Sequence, residues 1–126
     1  MKKIAVVFAA AAFVPMAAHA AGCAKPRNAF DQVYCASTVF SQADRDLNTQ
    51  YGRLRTHLNP TQQASLKSGQ LQWLKQRDQQ CSEEKDNGYF VNLDCAVNMT
   101  QERLAFLQER ERECNSTGCV NDKLGQ

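Results

Sequence analysis

Little in this sequence could build a metal centre or a nucleophile–base pair. Of its two histidines, His19 lies in an N-terminal apolar segment, which leaves His57 alone. No C-x2-C or C-x4-C pair is matched by a second such pair or by histidines, so the spacing of a zinc site is missing. The lack of C-x2-C also removes thioredoxin-like redox chemistry. No Ser or Cys with a supporting acid stands near His57, which reads as a helix-end residue facing the last carbonyls. Asp44, Asp46 and Asp78 are the carboxylates to weigh as a glycosidase pair, but Arg45 and Arg77 accompany them and charge pairing is the simpler role. No catalytic residue, cofactor or metal ligand is assigned, and the chain does not read as an enzyme.

Two further absences bound the fold and the partner. Beyond the N-terminal segment no apolar–polar alternation of strand type occurs, nor any internal repeat or low-complexity tract. Charge surplus is missing as well. Residues 1–20 carry Lys2 and Lys3, an apolar run over 4–16 and the small-x-small pattern Ala18-His19-Ala20, which together predict a removed secretory signal. The run is shorter than the roughly 20 residues of a membrane span. The segment holds two of the 15 basic residues and none of the 13 acidic ones, so residues 21–126 are neutral. Nucleic-acid binding, which needs excess Lys and Arg, is excluded. Residues 21–126 suit one small domain.

What the chain has is cysteine. Cys23, Cys35, Cys81, Cys95, Cys114 and Cys119 all follow the export segment, and an even count in a small exported chain argues for disulfides. Of the 15 connectivities open to six cysteines, the simplest joins sequence neighbours: Cys23–Cys35, Cys81–Cys95 and Cys114–Cys119. Loops of that size contribute roughly 2–3 kcal/mol each in the chain-entropy model. Ala20-Ala21-Gly22-Cys23 resembles a lipobox, but Ala20 stands where a large aliphatic residue belongs. A lipid on Cys23 would also orphan one thiol, so an unlipidated periplasmic or secreted protein is the preferred reading.

The organising stretch is 70–81. It holds the only Trp, no Gly or Pro and nothing β-branched, which predicts continuous helix. Trp73, Arg77 and Cys81 fall at i, i+4 and i+8, and Gln70 extends their stripe. That face offers a ring, a guanidinium that can lie over it, and a sulfur to lock the helix end. Around it the spacing predicts a short helix over 28–36, capped by Asn28, with Phe30, Val33 and Tyr34 inward. A long stripe follows through Phe40, Ala43, Leu47, Tyr51, Leu54 and Leu58. Asn59-Pro60 caps and starts a third helix to about residue 84, forming a central antiparallel helix hairpin with the second. After the break at Asp86-Asn87-Gly88, a last helix over about 93–114 buries Val97, Leu104 and Leu107; residues 120–126 are expected to fray. The expected architecture is all-α, a disulfide-stapled bundle of about four helices.

One stretch stands apart in charge. Residues 78–94 set Asp78, Glu83, Glu84, Asp86 and Asp94 against Lys85 alone, five acids to one base and a net of −4. Cys81 and Cys95 bound the connection, and Tyr89 and Phe90 sit near its tip. Glu83, Glu84, Asp86, Tyr89 and Phe90 are the candidate partner-binding residues, suited to a cationic protein surface. The alternative is a solvated connection whose aromatics fold back.

The residues also match a wider pattern: Cys23-x11-Cys35; Asp44-x2-Leu47-Asn48-x2-Tyr51-x2-Leu54; Gln70-x2-Trp73-x3-Arg77-Asp78-x2-Cys81; and Cys95 followed by Thr100-x2-Arg103. Together they resemble the LprI-like lysozyme-inhibitor family over about residues 23–107. The resemblance implies a small exported helical domain with disulfides that binds lysozyme, the cationic enzyme that cleaves peptidoglycan, and blocks it stoichiometrically. The matched residues, Leu47, Tyr51, Trp73, Arg77 and Asp78 among them, read as fold-forming. Cys114 and Cys119 lie outside the pattern. The competing expectation is an envelope interaction domain with another ligand.

Overall fold

The structure, a computed structural model, describes Cys23 and residues 25–126; the expected secretory signal at 1–20 lies outside the described residues. Three long helices form the body: α1 (Ala29–Thr56), α2 (Pro60–Cys81) and α3 (Leu93–Ser116). A two-stranded antiparallel hairpin, β1 (Ser82–Lys85) and β2 (Gly88–Val91), joins α2 to α3, and a single turn, α4 (Asn121–Leu124), follows α3. The mostly helical, disulfide-stapled architecture holds, with differences in where elements begin and end.

The helices start where local chemistry fixes them. Asn28 caps α1 by accepting from the Asp31 amide at 2.9 Å. Asn59 and Gln62 form a reciprocal capping box on α2, each bond 2.9 Å, with Pro60 at the first helical position, where its missing N–H costs nothing. Asn92 caps α3 by accepting from Cys95 N at 3.0 Å. The helices expected over 28–36 and through Leu58 are one unbroken helix, because nothing between them breaks the backbone ladder. Thr38 satisfies its own hydroxyl on the Tyr34 carbonyl at 2.9 Å.

The chain reverses over residues 57–59, so α1 and α2 run antiparallel, yet α1 packs most extensively along α3. Arg77 bridges Asp44 and Thr100 at one level, and Gln50 Nε2 donates to Glu111 farther along both helices, which sets α1 and α3 in the same direction. Leu47, Leu54, Leu58, Leu66, Trp73, Leu107 and Leu124 form the core. Phe30, Val33 and Tyr34 do not join it. They are in phase with the stripe, but Phe40 already lies level with Arg77, so α1 overhangs. From Phe40 back to Ala29 is about 16 Å of helix, whereas α2 continues only about 6 Å past Arg77 to Cys81. Phe30 is consequently 80% exposed.

Guanidinium groups and rings alternate through the bundle. Arg77 lies 5.3 Å from the Phe40 ring and 5.1 Å from Trp73. Arg103 lies 5.9 Å from Trp73 and 4.5 Å from Phe106, and Arg110 lies 4.8 Å from Phe106. Trp73, 9% exposed, is the shared ring of α2 and α3. Arg77 reaches Asp44 at 3.4 Å and the Thr100 hydroxyl at 3.3 Å. Arg103 is buried with no Asp or Glu partner among the described residues and donates to Gln70 Oε1 at 2.9 Å and the Gln126 main-chain oxygen at 2.7 Å. Burial pulls its pKa down to about 10.

The tail expected to fray instead closes the fold. Leu124 is completely buried, and Gly69 makes room for it: a Cβ there would meet Gly125 and Gln126 main-chain atoms at 2.9 Å. The Cys114–Cys119 disulfide turns the chain back. Lys123 Nζ then reaches Glu113 Oε1 at 2.7 Å, and Arg110 Nε lies 2.7 Å from Glu113 Oε2. The Lys123 bond, followed by that of Arg110, holds the Glu113 carboxyl below the usual carboxylate range.

Two tests follow from this packing. Trp73→Ala should lower the unfolding free energy by about 3–5 kcal/mol in denaturant titrations, as for other large core aromatics. Because the folded pKa of Glu113 is depressed, its contribution is fully present above the ordinary value of about 4.3 and is lost as pH falls below it. Glu113→Gln should therefore lower the melting temperature at pH 7 and flatten its decline on acidification.

Candidate functional site

The acidic connection is a β-hairpin, where helix to about residue 84 and a loop were expected. Helix α2 stops at Cys81, whose disulfide to Cys95 fixes the base together with Asn92 N donating to the Cys81 carbonyl at 2.7 Å. The strands pair in the register Ser82↔Val91, Glu83↔Phe90, Glu84↔Tyr89 and Lys85↔Gly88. Gly88 takes a φ of 135°, which a side chain would resist, and so closes the turn over Asp86 and Asn87. The legible cue was Gly-Tyr-Phe-Val after Asp-Asn, a turn followed by aromatic and β-branched residues.

Pairing sorts the side chains onto two faces, since directly opposed residues share one. Glu84 and Tyr89 lie on the face of Ser82 and Val91. Glu83, Lys85 and Phe90 lie on the other, where Lys85 Nζ sits 2.7 Å from Glu83 Oε1 and 5.1 Å from the Phe90 ring centroid. The lysine thus offsets Glu83 locally, leaving Glu84 and Asp86, with Asp78 and Asp94 at the base, to set the sign of the field. Tyr89 is 78% exposed, and Phe90 and Val91 are exposed too.

Between the hairpin and α2 lies an open groove of about 530 Å³. Leu71, Leu74 and Tyr89 give it apolar surface; Asp78, Glu83 and Glu84 give it negative charge, with Lys75 the one basic residue lining it. Of the candidates, Glu83, Glu84 and Tyr89 meet in this groove. Phe90 belongs to a neighbouring recess with Gln80 and Val91, and Asp86 stands at the tip. The sequence offers Leu71 only as a further apolar position of this helix, yet it is exposed, and Lys75 carries no signal there; both sit off the Trp73–Arg77 face of α2, and the hairpin folding beside that helix gives them a role.

The remaining candidates are structural in placement. The three disulfides join Cys23 to Cys35, Cys81 to Cys95 and Cys114 to Cys119. Leu47 is buried, Tyr51 is half-buried, and Asp78 is exposed, 3.8 Å from Arg77 Nε. His57 ends α1 and faces Glu111 rather than helix carbonyls alone. No described helix is long and apolar enough to cross a membrane. No curated protein and no solved structure matches the chain significantly. A family does, over residues 23–107, from the first cysteine to the middle of α3: the chain belongs to the family described as Lysozyme inhibitor LprI.

Proposed function

We propose that this is an exported binding protein that blocks a basic lysozyme, with the acidic hairpin as its contact surface. Family membership and the three disulfides support the general reading. The observation that carries the choice of surface is Tyr89, a large ring standing 78% exposed on a disulfide-clamped scaffold ringed by carboxylates. A ring held out of the core at that exposure offers buried area to a partner without conformational change in the hairpin. Glu83, Glu84 and Asp86 steer a cationic partner towards it. The role is stoichiometric occlusion, with no chemistry on this chain.

A second reading, an envelope interaction domain with another ligand, draws on the α1 overhang. Phe30, Val33 and Tyr34 are exposed at the hairpin end of the molecule, and the lysozyme reading does not use them.

Inhibition of a basic lysozyme by the purified protein is the first measurement. Replacing Glu83, Glu84 and Asp86 with Ser should slow association by about tenfold at low salt, with the difference shrinking as ionic strength rises. Tyr89→Ala should instead raise the dissociation rate by roughly tenfold or more. Melting temperatures should hardly move, because these side chains are exposed. Equal inhibition by wild type and triple variant at low salt would remove the hairpin as the site. No inhibition by either would leave the second reading.

A further inference from the structure

A second groove lies nearer the N-terminal end of α2, between it and α1, sharing only Leu71 with the first, and its chemistry is the reverse of the hairpin's. It measures about 530 Å³, within the roughly 300–1,000 Å³ of small-molecule sites. No acidic residue lines it, while Arg55 and Lys67 do, and among the described residues neither has an ion-pair partner.

Its polar atoms are preset. Gln70 is 9% exposed and lines the groove. Arginine can only donate, so the 2.9 Å bond from buried Arg103 Nε must fall on Gln70 Oε1, which fixes the amide the other way round. Its Nε2 has no partner within the described residues. Gln63 is fixed in the opposite sense: its Nε2 donates to the Leu58 carbonyl at 3.0 Å and the Arg55 carbonyl at 3.3 Å, leaving Oε1 as a free acceptor. Tyr51 and Leu71 add a ring and an aliphatic surface.

A groove with two free cations, one oriented donor, one oriented acceptor and a ring favours a ligand that carries an anion, hydroxyls and a ring face together. A simple anion would use the cations and leave the Gln63 acceptor idle. A neutral sugar would gain nothing from Arg55 and Lys67. We propose that this groove binds a carboxylated sugar, its carboxylate held by Arg55 and Lys67, its hydroxyls bridging Gln63 and Gln70, and its ring face on Tyr51. The proposal is independent of lysozyme inhibition, since it uses the other end of α2, the opposite charge and none of the hairpin's residues.

The test is an amide chemical-shift titration of the purified disulfide-bonded protein with three probes. N-acetylmuramic acid carries sugar and carboxylate together, N-acetylglucosamine the same ring without the carboxylate, and lactate the carboxylate without the ring. Saturable shifts at Tyr51, Gln63, Lys67 and Gln70 are expected with the first probe by about 10 mM. The neutral sugar should bind at least fivefold more weakly, and lactate should produce no matching shifts. Arg55→Gln with Lys67→Gln should weaken the acidic sugar by about tenfold and bring it level with the neutral one. Both side chains are exposed, so the rest of the spectrum should be unchanged; if that double variant does not fold, Lys67→Glu alone carries the comparison. Absence of saturable shifts with N-acetylmuramic acid, equal binding of either fragment, or undiminished binding by the variant would overturn the proposal.

Discussion

The bundle depends on a solution to one problem: how to hold arginines among three helices without acids to neutralise all of them. The answer is the alternating stack Phe40–Arg77–Trp73–Arg103–Phe106–Arg110, in which ring faces replace part of the water each guanidinium gives up. Each such contact contributes about 0.5–2 kcal/mol, less than the desolvation it offsets, so the remaining hydrogen bonds matter. For Arg77 they come from Asp44 and Thr100, and for Arg110 the ion pair with Glu113 serves. Arg103, with no Asp or Glu beside it among the described residues, takes Gln70 and the Gln126 main chain. The stack therefore needs the tail, which explains why residues after Cys119 are packed.

The same stack organises the surfaces. By fixing Trp73 and Arg77 inward, it turns Leu71, Lys75 and Asp78 of α2 outward, where the hairpin meets them. By fixing Gln70 from behind, it orients an amide in the α1–α2 groove. Along α2 an acidic, aromatic groove near its C-terminal end thus follows a cationic one nearer its N-terminal end, and a protein with no net charge over 21–126 still offers two electrostatic environments.

Much of this was legible. The i, i+4, i+8 spacing of Trp73, Arg77 and Cys81 announced the central helix and the guanidinium–ring contact, and Asn59-Pro60 announced the reversal, because both are local in sequence. What failed to show was set by length or by distant partners. Phe30 and Val33 keep the periodicity of α1, but periodicity says nothing about whether another helix extends far enough to cover them. The hairpin was hidden because four-residue strands carry too little alternation to register, and Tyr-Phe-Val beside Asp-Asn-Gly was the cue available. Leu124 shares a mostly polar tail with Val120, and nothing local marks it as core; the close approach of residues 125 and 126 to Gly69, over fifty residues earlier, accompanies its burial. The acidic candidates were visible as composition, while their division between two faces needed the strand register.

The parallel arrangement of α1 and α3 carries a consequence for how the molecule assembles. Their interface joins residues as far apart as Gln50 and Glu111, 61 positions, whereas α2, the hairpin and α3 are linked through a disulfide of sequence separation 14. Loop-closure entropy disfavours the long-range pairing until the short-range one exists. On those grounds the two local reversals, α1 to α2 and α2 through the hairpin to α3, can form early and present a half-built stack before the α1–α3 seam closes. The most extensive helix pair is then the slowest to close. A chain crossing into an oxidising compartment would expose Trp73 and Arg77 during that interval, when a disulfide between the wrong cysteines is easiest to make.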